Sequence, residues 1–157
     1  MKQKNSLIIK YLPADYKDCF WEKITNKPNV SVQELFDLMF IQYPKWVSWL
    51  LKLRDFIVKP LGIKASKSFK ELIIEQNSHE IILGTKDKHL TFYVSISCFE
   101  VNRNEQIASI TTLVKYNNIL GKVYFIAIWI FHKFIVYRLL KRAIRKCDKL
   151  NSKRVYP

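Results

Sequence analysis

An apolar run from Ile119 to Ile144, ILGKVYFIAIWIFHKFIVYRLLKRAI, limits what this chain can fold into more than any other stretch. It is too long for a strand and holds no proline, and Asn117 and Asn118 stand just before it as helix caps. As a helix it extends about 39 Å at 1.5 Å per residue, enough to cross a small domain. On a wheel centred at Ala127, Leu120, Val123, Tyr124, Ile130, Phe131 and Phe134 lie within about 60°, and this is the face expected to meet the core. Arg138 falls in line with that face one turn on, where an apolar residue is due. The opposite side carries Phe125, Trp129, Val136 and Leu140 beside Lys122, His132, Lys133 and Ala143. A helix apolar nearly all round needs a second partner on its back.

The run is not expected to span a membrane. His132, Lys133 and Arg138 interrupt it before it reaches the ~20 residues a crossing needs, and a charge near mid-bilayer costs on the order of 3 kcal/mol. The basic residues that follow (Lys141, Arg142, Arg145, Lys146, Lys149, Lys153, Arg154) leave peripheral membrane contact open.

The chain has 157 residues, 49% hydrophobic and 14% aromatic, which suits one domain with a real core rather than a disordered segment. Residues 1–12 and 147–157 are candidate flexible tails. The net charge of +14 invites an anionic partner. Its lysines are scattered, however, and no RNP-like, zinc-finger or helix-turn-helix pattern accompanies them, so nucleic acid is not the expected partner. Cys19, Cys98 and Cys147 are widely separated, with no CxxC pair, so neither a zinc knuckle nor a redox motif is suggested, and a reducing cytoplasm is the expected location. The opening MKQKNSLIIKYLP has an apolar run too short for a signal peptide.

Asp15–Ile24 reads either as a helix or as an edge strand with Asp18, Phe20, Glu22 and Ile24 on one side. Thr25–Asn29, with Pro28, is a turn. Ser31-Val-Gln-Glu34 is a capping box, and Val32, Leu35, Phe36, Met39, Phe40 and Tyr43 mark the buried stripe of the helix it opens. Pro44 starts a second helix, Lys45–Lys59, with Trp46, Trp49, Leu50, Leu53, Ile57 and Leu61 on one side, closed by Pro60 and Gly62. From Phe69 the period becomes two. Glu71–Glu75 and Glu80–Gly84 read as strands, and His89–Val101 places Leu90, Phe92, Val94, Ile96 and Cys98 on its drier face. Asn102–Glu105 is a hairpin loop, and Gln106–Tyr116 returns. Ala108, Ile110, Thr112, Val114 and Tyr116 are the more apolar side of that strand, but its register is open. The fold class is α+β, a curved antiparallel sheet wrapped around the long C-terminal helix, with a short helix pair after the first strand.

Three segments, KWVSWLLKLRDFIVKPLGIK (Lys45–Lys64), ILGTKDKHLTFYVSIS (Ile82–Ser97) and TTLVKYNNILGKVYFIAIWIFHKFIVYRLLKRA (Thr111–Ala143), together resemble a bacterial family of unknown function. Its members occur alone or on the C-terminal side of epimerase-like, nucleotide-binding domains. The resemblance associates the chain with the START/polyketide-cyclase helix-grip superfamily, which favours a strand at Lys17–Ile24. It implies a cavity between sheet and long helix for a hydrophobic or amphipathic small molecule. This chain departs from the pattern at Thr91, where an acid is expected, and at Ile130, where a proline is expected.

Within that frame Phe92, Val94, Tyr124, Ala127 and Phe131 are the expected cavity lining, with Arg54, His89 or Arg138 as polar anchors. Each has a plainer alternative: a strand-end histidine at His89, a core tyrosine at Tyr124, a solvated arginine at Arg138, a structural contact at Arg54. A second function class uses Phe125, Trp129, Val136 and Leu140 as an interface with a protein, a second copy in a homodimer, or a membrane surface. A third is a cyclase or hydratase, by architecture alone. No Ser/His/Asp order, phosphate loop, HExxH or paired-carboxylate motif is present, so no metal or cofactor is implied.

Overall fold

The computed structural model describes residues 6–25, 30–58 and 68–155. Five strands, β1 (Tyr16–Thr25), β2 (Ile73–Gln76), β3 (Glu80–Lys86), β4 (Leu90–Asn102) and β5 (Glu105–Tyr116), form one antiparallel sheet in the order β1-β5-β4-β3-β2. Between β1 and β2 come α1 (Val32–Phe36), a π-helical turn (Asp37–Ile41) and α2 (Lys45–Val58). The chain ends in α3 (Ile119–Val155), 37 residues long. The architecture is therefore α+β, a sheet packed on a long C-terminal helix, with short helices after the first strand.

Local chemistry accounts for most boundaries. The Ser31 hydroxyl accepts from the Glu34 N–H at 3.1 Å, which satisfies one of the free donors at the start of α1. Asn118 does the same for α3, its Oδ1 accepting from Gly121 N–H at 3.0 Å. Strand β1 is an edge strand, alternating outward Lys17, Cys19, Trp21 and Lys23 with inward Tyr16, Asp18, Phe20, Glu22 and Ile24. The β4–β5 hairpin turns through Arg103 and Asn104, and its register pairs Phe92 with Val114, Val94 with Thr112 and Ile96 with Ile110. This turns Ala108, Ile110, Thr112 and Val114 toward α3 and settles the return strand.

The main core lies between the inner face of the sheet, the helix pair and the second half of α3. Leu35, Phe36 and Met39 are fully buried there with Ile96 and Ile110, and Leu139, Leu140, Ala143, Ile144 and Cys147 come from α3. A smaller cluster of Leu90, Val114, Tyr124 and Phe125 continues it toward the start of α3. On the outer face, Glu80 is 1% exposed yet fully engaged, accepting from the Ser6 and Ser95 hydroxyls and from the N–H groups of Leu7 and Ile8. Burial without such donors would cost several kcal/mol, so this carboxylate pins the N-terminal 3-10 turn (Leu7–Tyr11) across the sheet. Ile8 in that turn and Cys147 in α3 are both buried.

Two helices turn faces to the core other than those their sequences lead one to expect. First, α3 faces the other way. Val123, Ile126, Ile130, Phe131 and Phe134 are 57%, 61%, 68%, 57% and 50% exposed, whereas Phe125, Val136 and Leu140 are buried. The inward stripe runs Gly121, Tyr124/Phe125, Ile128, His132, Ile135/Val136, Leu139/Leu140, Ala143/Ile144 and Cys147, centred near His132, about 140° round from Ala127. Second, α2 packs through Val47, which is 2% exposed, and turns Trp49 and Phe56 outward. Ile57, Leu61 and the Pro60–Gly62 stop lie outside the described side chains, as does the Thr25–Asn29 turn beyond Thr25.

Gly121 fixes how α3 meets the β3–β4 turn. A Cβ there would lie 1.9 Å from the His89 carbonyl oxygen, inside any allowed contact. Alanine in place of glycine stabilises an exposed helix by about 1 kcal/mol. At this position Gly121→Ala is expected instead to destabilise by about 1–3 kcal/mol, because backbone must move to admit the methyl. Urea denaturation checks it, and a stabilised variant would show that the helix start is not seated on His89.

Candidate functional site

Two features of α3 stand out from an ordinary core helix. One is its outward face. Ile119, Val123, Ile126, Ile130, Phe131 and Phe134 form an exposed apolar ridge, and α2 extends it where the Trp46 and Phe134 rings lie 6.1 Å apart. No acidic residue occurs between Asn117 and Cys147. Basic side chains lie against the aromatic ones: Lys133 over Trp129 at 4.3 Å, Arg138 over Phe134 at 4.9 Å and Lys141 over Tyr137 at 4.7 Å. A helix this apolar would ordinarily be mostly buried, yet most of its apolar stretch lies at the surface. By length and composition Ile119–Asp148 could cross a membrane. Its second half is instead committed to the core through Leu139, Leu140, Ala143 and Ile144.

The other feature is a polar seam beneath that face, between β1, β5 and α3. Trp129 Nε1–H donates to the Tyr16 hydroxyl at 2.9 Å, and Tyr16 donates to Asp18 Oδ2 at 2.7 Å. His132 Nε2 lies 3.9 Å from the same Asp18 oxygen and 3.2 Å from Thr112 Oγ1. Asp18 Oδ1 is buried with no hydrogen-bond partner. One ring nitrogen faces both Asp18 and Thr112, so the trio is not a relay, which needs a separate nitrogen for each neighbour. Burial pushes the Tyr16 phenol up to about 12, and the Asp18 carboxylate adds to the rise. Burial also holds the His132 imidazole below its ordinary value, with Asp18 opposing and Lys133 assisting.

The lowered His132 value has a definite sign. Between its ordinary value and the folded one, the unfolded chain binds the proton and the folded chain does not. Stability contributed by neutral His132 is thus full above about pH 6.5 and declines as pH falls toward the folded value. His132→Gln is expected to remove that decline from stability measured by urea midpoints across pH 5–8. An unchanged slope would place the histidine in water.

The sequence-predicted site residues scatter. Phe92 is half-buried, and Val94 and Tyr124 are buried, all between sheet and α3, but Ala127 and Phe131 face outward, so the proposed lining does not converge on one cavity. His89 is 9% exposed and joins the β3–β4 turn to α3. Its carbonyl accepts from Asn117 N–H at 3.0 Å, and its Nδ1 lies 3.0 Å from the Asn118 side chain. Its Nε2 is buried without a partner. Arg138 is solvent-exposed and lies over the Phe134 ring. The Arg54 side chain lies outside the described residues. Of the expected interface stripe, Phe125, Val136 and Leu140 belong to the core because the inward stripe runs through them, and Trp129 alone reaches the surface, 37% exposed. Sequence reasoning did not single out Tyr16, Asp18 or Thr112. The available signal was Asp18 itself, an acid in the inward register of an edge strand.

Among the described residues no group of three or more His, Cys, Asp and Glu could hold a metal ion. No curated protein matches the chain. A family model described as protein of unknown function (DUF2867) matches residues 11–139, from the end of the N-terminal turn into α3, and takes in both the seam and the outward ridge. The chain therefore belongs to the DUF2867 family.

Proposed function

We propose that this protein is a peripheral membrane module that lays the outward face of α3, with the adjoining end of α2, on an anionic bilayer. The observation that carries the reading is the exposed Val123–Ile126–Ile130–Phe134 ridge, with Arg138 over its Phe134 ring, and with Lys133 over Trp129 and Lys141 over Tyr137 at its margins, Lys141 pairing also with Glu22 of β1 at 3.6 Å. An in-plane helix needs this combination: apolar side chains that enter the acyl boundary, aromatic rings at headgroup level and cations for anionic lipid. A second copy of the chain fits less well. It would bring Lys133 and Arg138 of the two copies together across a desolvated contact between molecules of charge +14, with no acid on α3 before Asp148 to neutralise them.

The cytoplasmic leaflet, rich in anionic lipid, is the surface such a face suits, and the cytoplasm is the location proposed with it. The element order, strand, helix pair, meander and long helix, supports a variant of the helix-grip architecture in which the helix has one side on the sheet and one side free. Co-sedimentation with vesicles of phosphatidylcholine alone, and with an equal part of phosphatidylglycerol, tests the proposal. Binding to the mixed vesicles that weakens but persists at moderate salt is expected. A monomer that ignores both, or a dimer that loses its contact when Ile130 is replaced, would overturn it.

A further inference from the structure

The outer face of the sheet, remote from α3, carries a groove of about 350 Å3 between the N-terminal segment and the ends of β3, β4 and β5. From this groove we infer a binding site for a small organic anion with a flat apolar body, an aromatic phosphate or carboxylate.

One half of the groove is aromatic. Tyr93 packs against Tyr11 with ring centroids 4.2 Å apart and planes tilted by 31°. Gly84, its cross-strand neighbour, makes room for that ring, since a Cβ at Gly84 would lie 2.7 Å from it. The Tyr11 hydroxyl donates to Glu75 at 3.1 Å, and Lys10 pairs with the same carboxylate, so the outer ring is held at its far edge. The aromatic wall is therefore set before any ligand arrives, which lowers the ordering cost of binding.

The other half is cationic. Lys86, Thr91 and Lys115 are directly opposite one another across three strands, so all three side chains leave the sheet on the same side. Among the described residues neither lysine has an acidic partner. The nearby acids are engaged elsewhere: Asp87 Oδ1 accepts from His89 N–H, Asp15 Oδ2 from Tyr116 N–H, and Glu75 from Lys10 and Tyr11. Asn117 closes the end, its amide donating to Thr91 Oγ1 at 3.1 Å and to the Asp87 carbonyl at 2.6 Å. Two lysines on either side of the hydrogen-bonded Thr91–Asn117 pair suit an anionic head, and the tyrosine pair beside them suits a ring. A bare anion would use only the cationic half and a neutral ring only the aromatic half.

Titration of the full chain with phenyl phosphate, inorganic phosphate and phenol, followed by amide NMR shifts, tests the inference. Phenyl phosphate is expected to bind most tightly and to perturb residues around Thr91, Tyr93 and Lys115. The double variant K86Q/K115Q should weaken it about tenfold or more, the loss of roughly 1.4 kcal/mol of charge pairing. The charge-matched control K52Q/K70Q, on exposed lysines elsewhere, should leave it unchanged, and Gly84→Ala should weaken phenyl phosphate while sparing inorganic phosphate. Equal binding of the three probes, or equal loss in both lysine pairs, would mean general attraction to a basic protein and would overturn the site.

Discussion

Leu140→Ala is expected to cost about 2–5 kcal/mol of folding stability, whereas Ile130→Ala on the same helix changes it by less than about 0.5 kcal/mol. Leu140 is 0% exposed and packs in the main core with Leu139 and Ala143, so truncation leaves a cavity as well as losing apolar burial. Ile130 is 68% exposed and has little packing to lose in water. Urea midpoints at constant slope measure both. The reverse order would mean that α3 presents its Ala127 face to the sheet after all.

The second large effect concerns the surface. Ile130→Asp combined with Phe131→Asp is expected to reduce partitioning onto phosphatidylglycerol-containing vesicles by about three to four orders of magnitude, leaving the urea midpoint near that of the parent. Each side chain forgoes roughly 1–2 kcal/mol of apolar transfer, and each new carboxylate adds about 1 kcal/mol of repulsion from the anionic surface. Lys133→Gln with Arg138→Gln should act differently, lowering affinity at low salt and flattening its salt dependence, because it removes charge and keeps the ridge. If the aspartate pair bound as well as the parent, the ridge would not be the contact.

The sequence carried the fold further than the site. The Ser31 cap and the uninterrupted α3 follow from nearest-neighbour chemistry and recur in the structure, whereas β4, read with one drier face, is buried on both, because the N-terminal turn packs on the side that carries Thr91, Ser95 and Ser97. Strand β1 was ambiguous by period alone, but its strand reading placed Asp18, Phe20, Glu22 and Ile24 on one side, as they stand. The facing of α3 was harder because its first half is apolar on both sides. Its second half is not: Leu139, Leu140, Ala143, Ile144 and Cys147 make one clean stripe, while Arg138, Lys141, Arg142 and Arg145 occupy the rest. Counting back from Ile144 by turns leads to Val136, His132, Phe125 and Gly121, the true inward line. Arg138 in the Ala127 face was the warning. The seam could not be read in this way, because Tyr16 and Trp129 are 113 residues apart and meet only through the β1–β5 pairing.

The most direct test is the depth of a nitroxide carried at Ile130→Cys, in a Cys19→Ser background that removes the exposed native thiol. With phosphatidylcholine–phosphatidylglycerol vesicles, the proposed docking places that label about 5–10 Å below the headgroups, more accessible to oxygen and less to a water-soluble nickel chelate than in buffer. A label at the exposed outer-face position Trp21→Cys should not change. Accessibilities at Ile130 that stay as they are in buffer would contradict the membrane-facing role of α3.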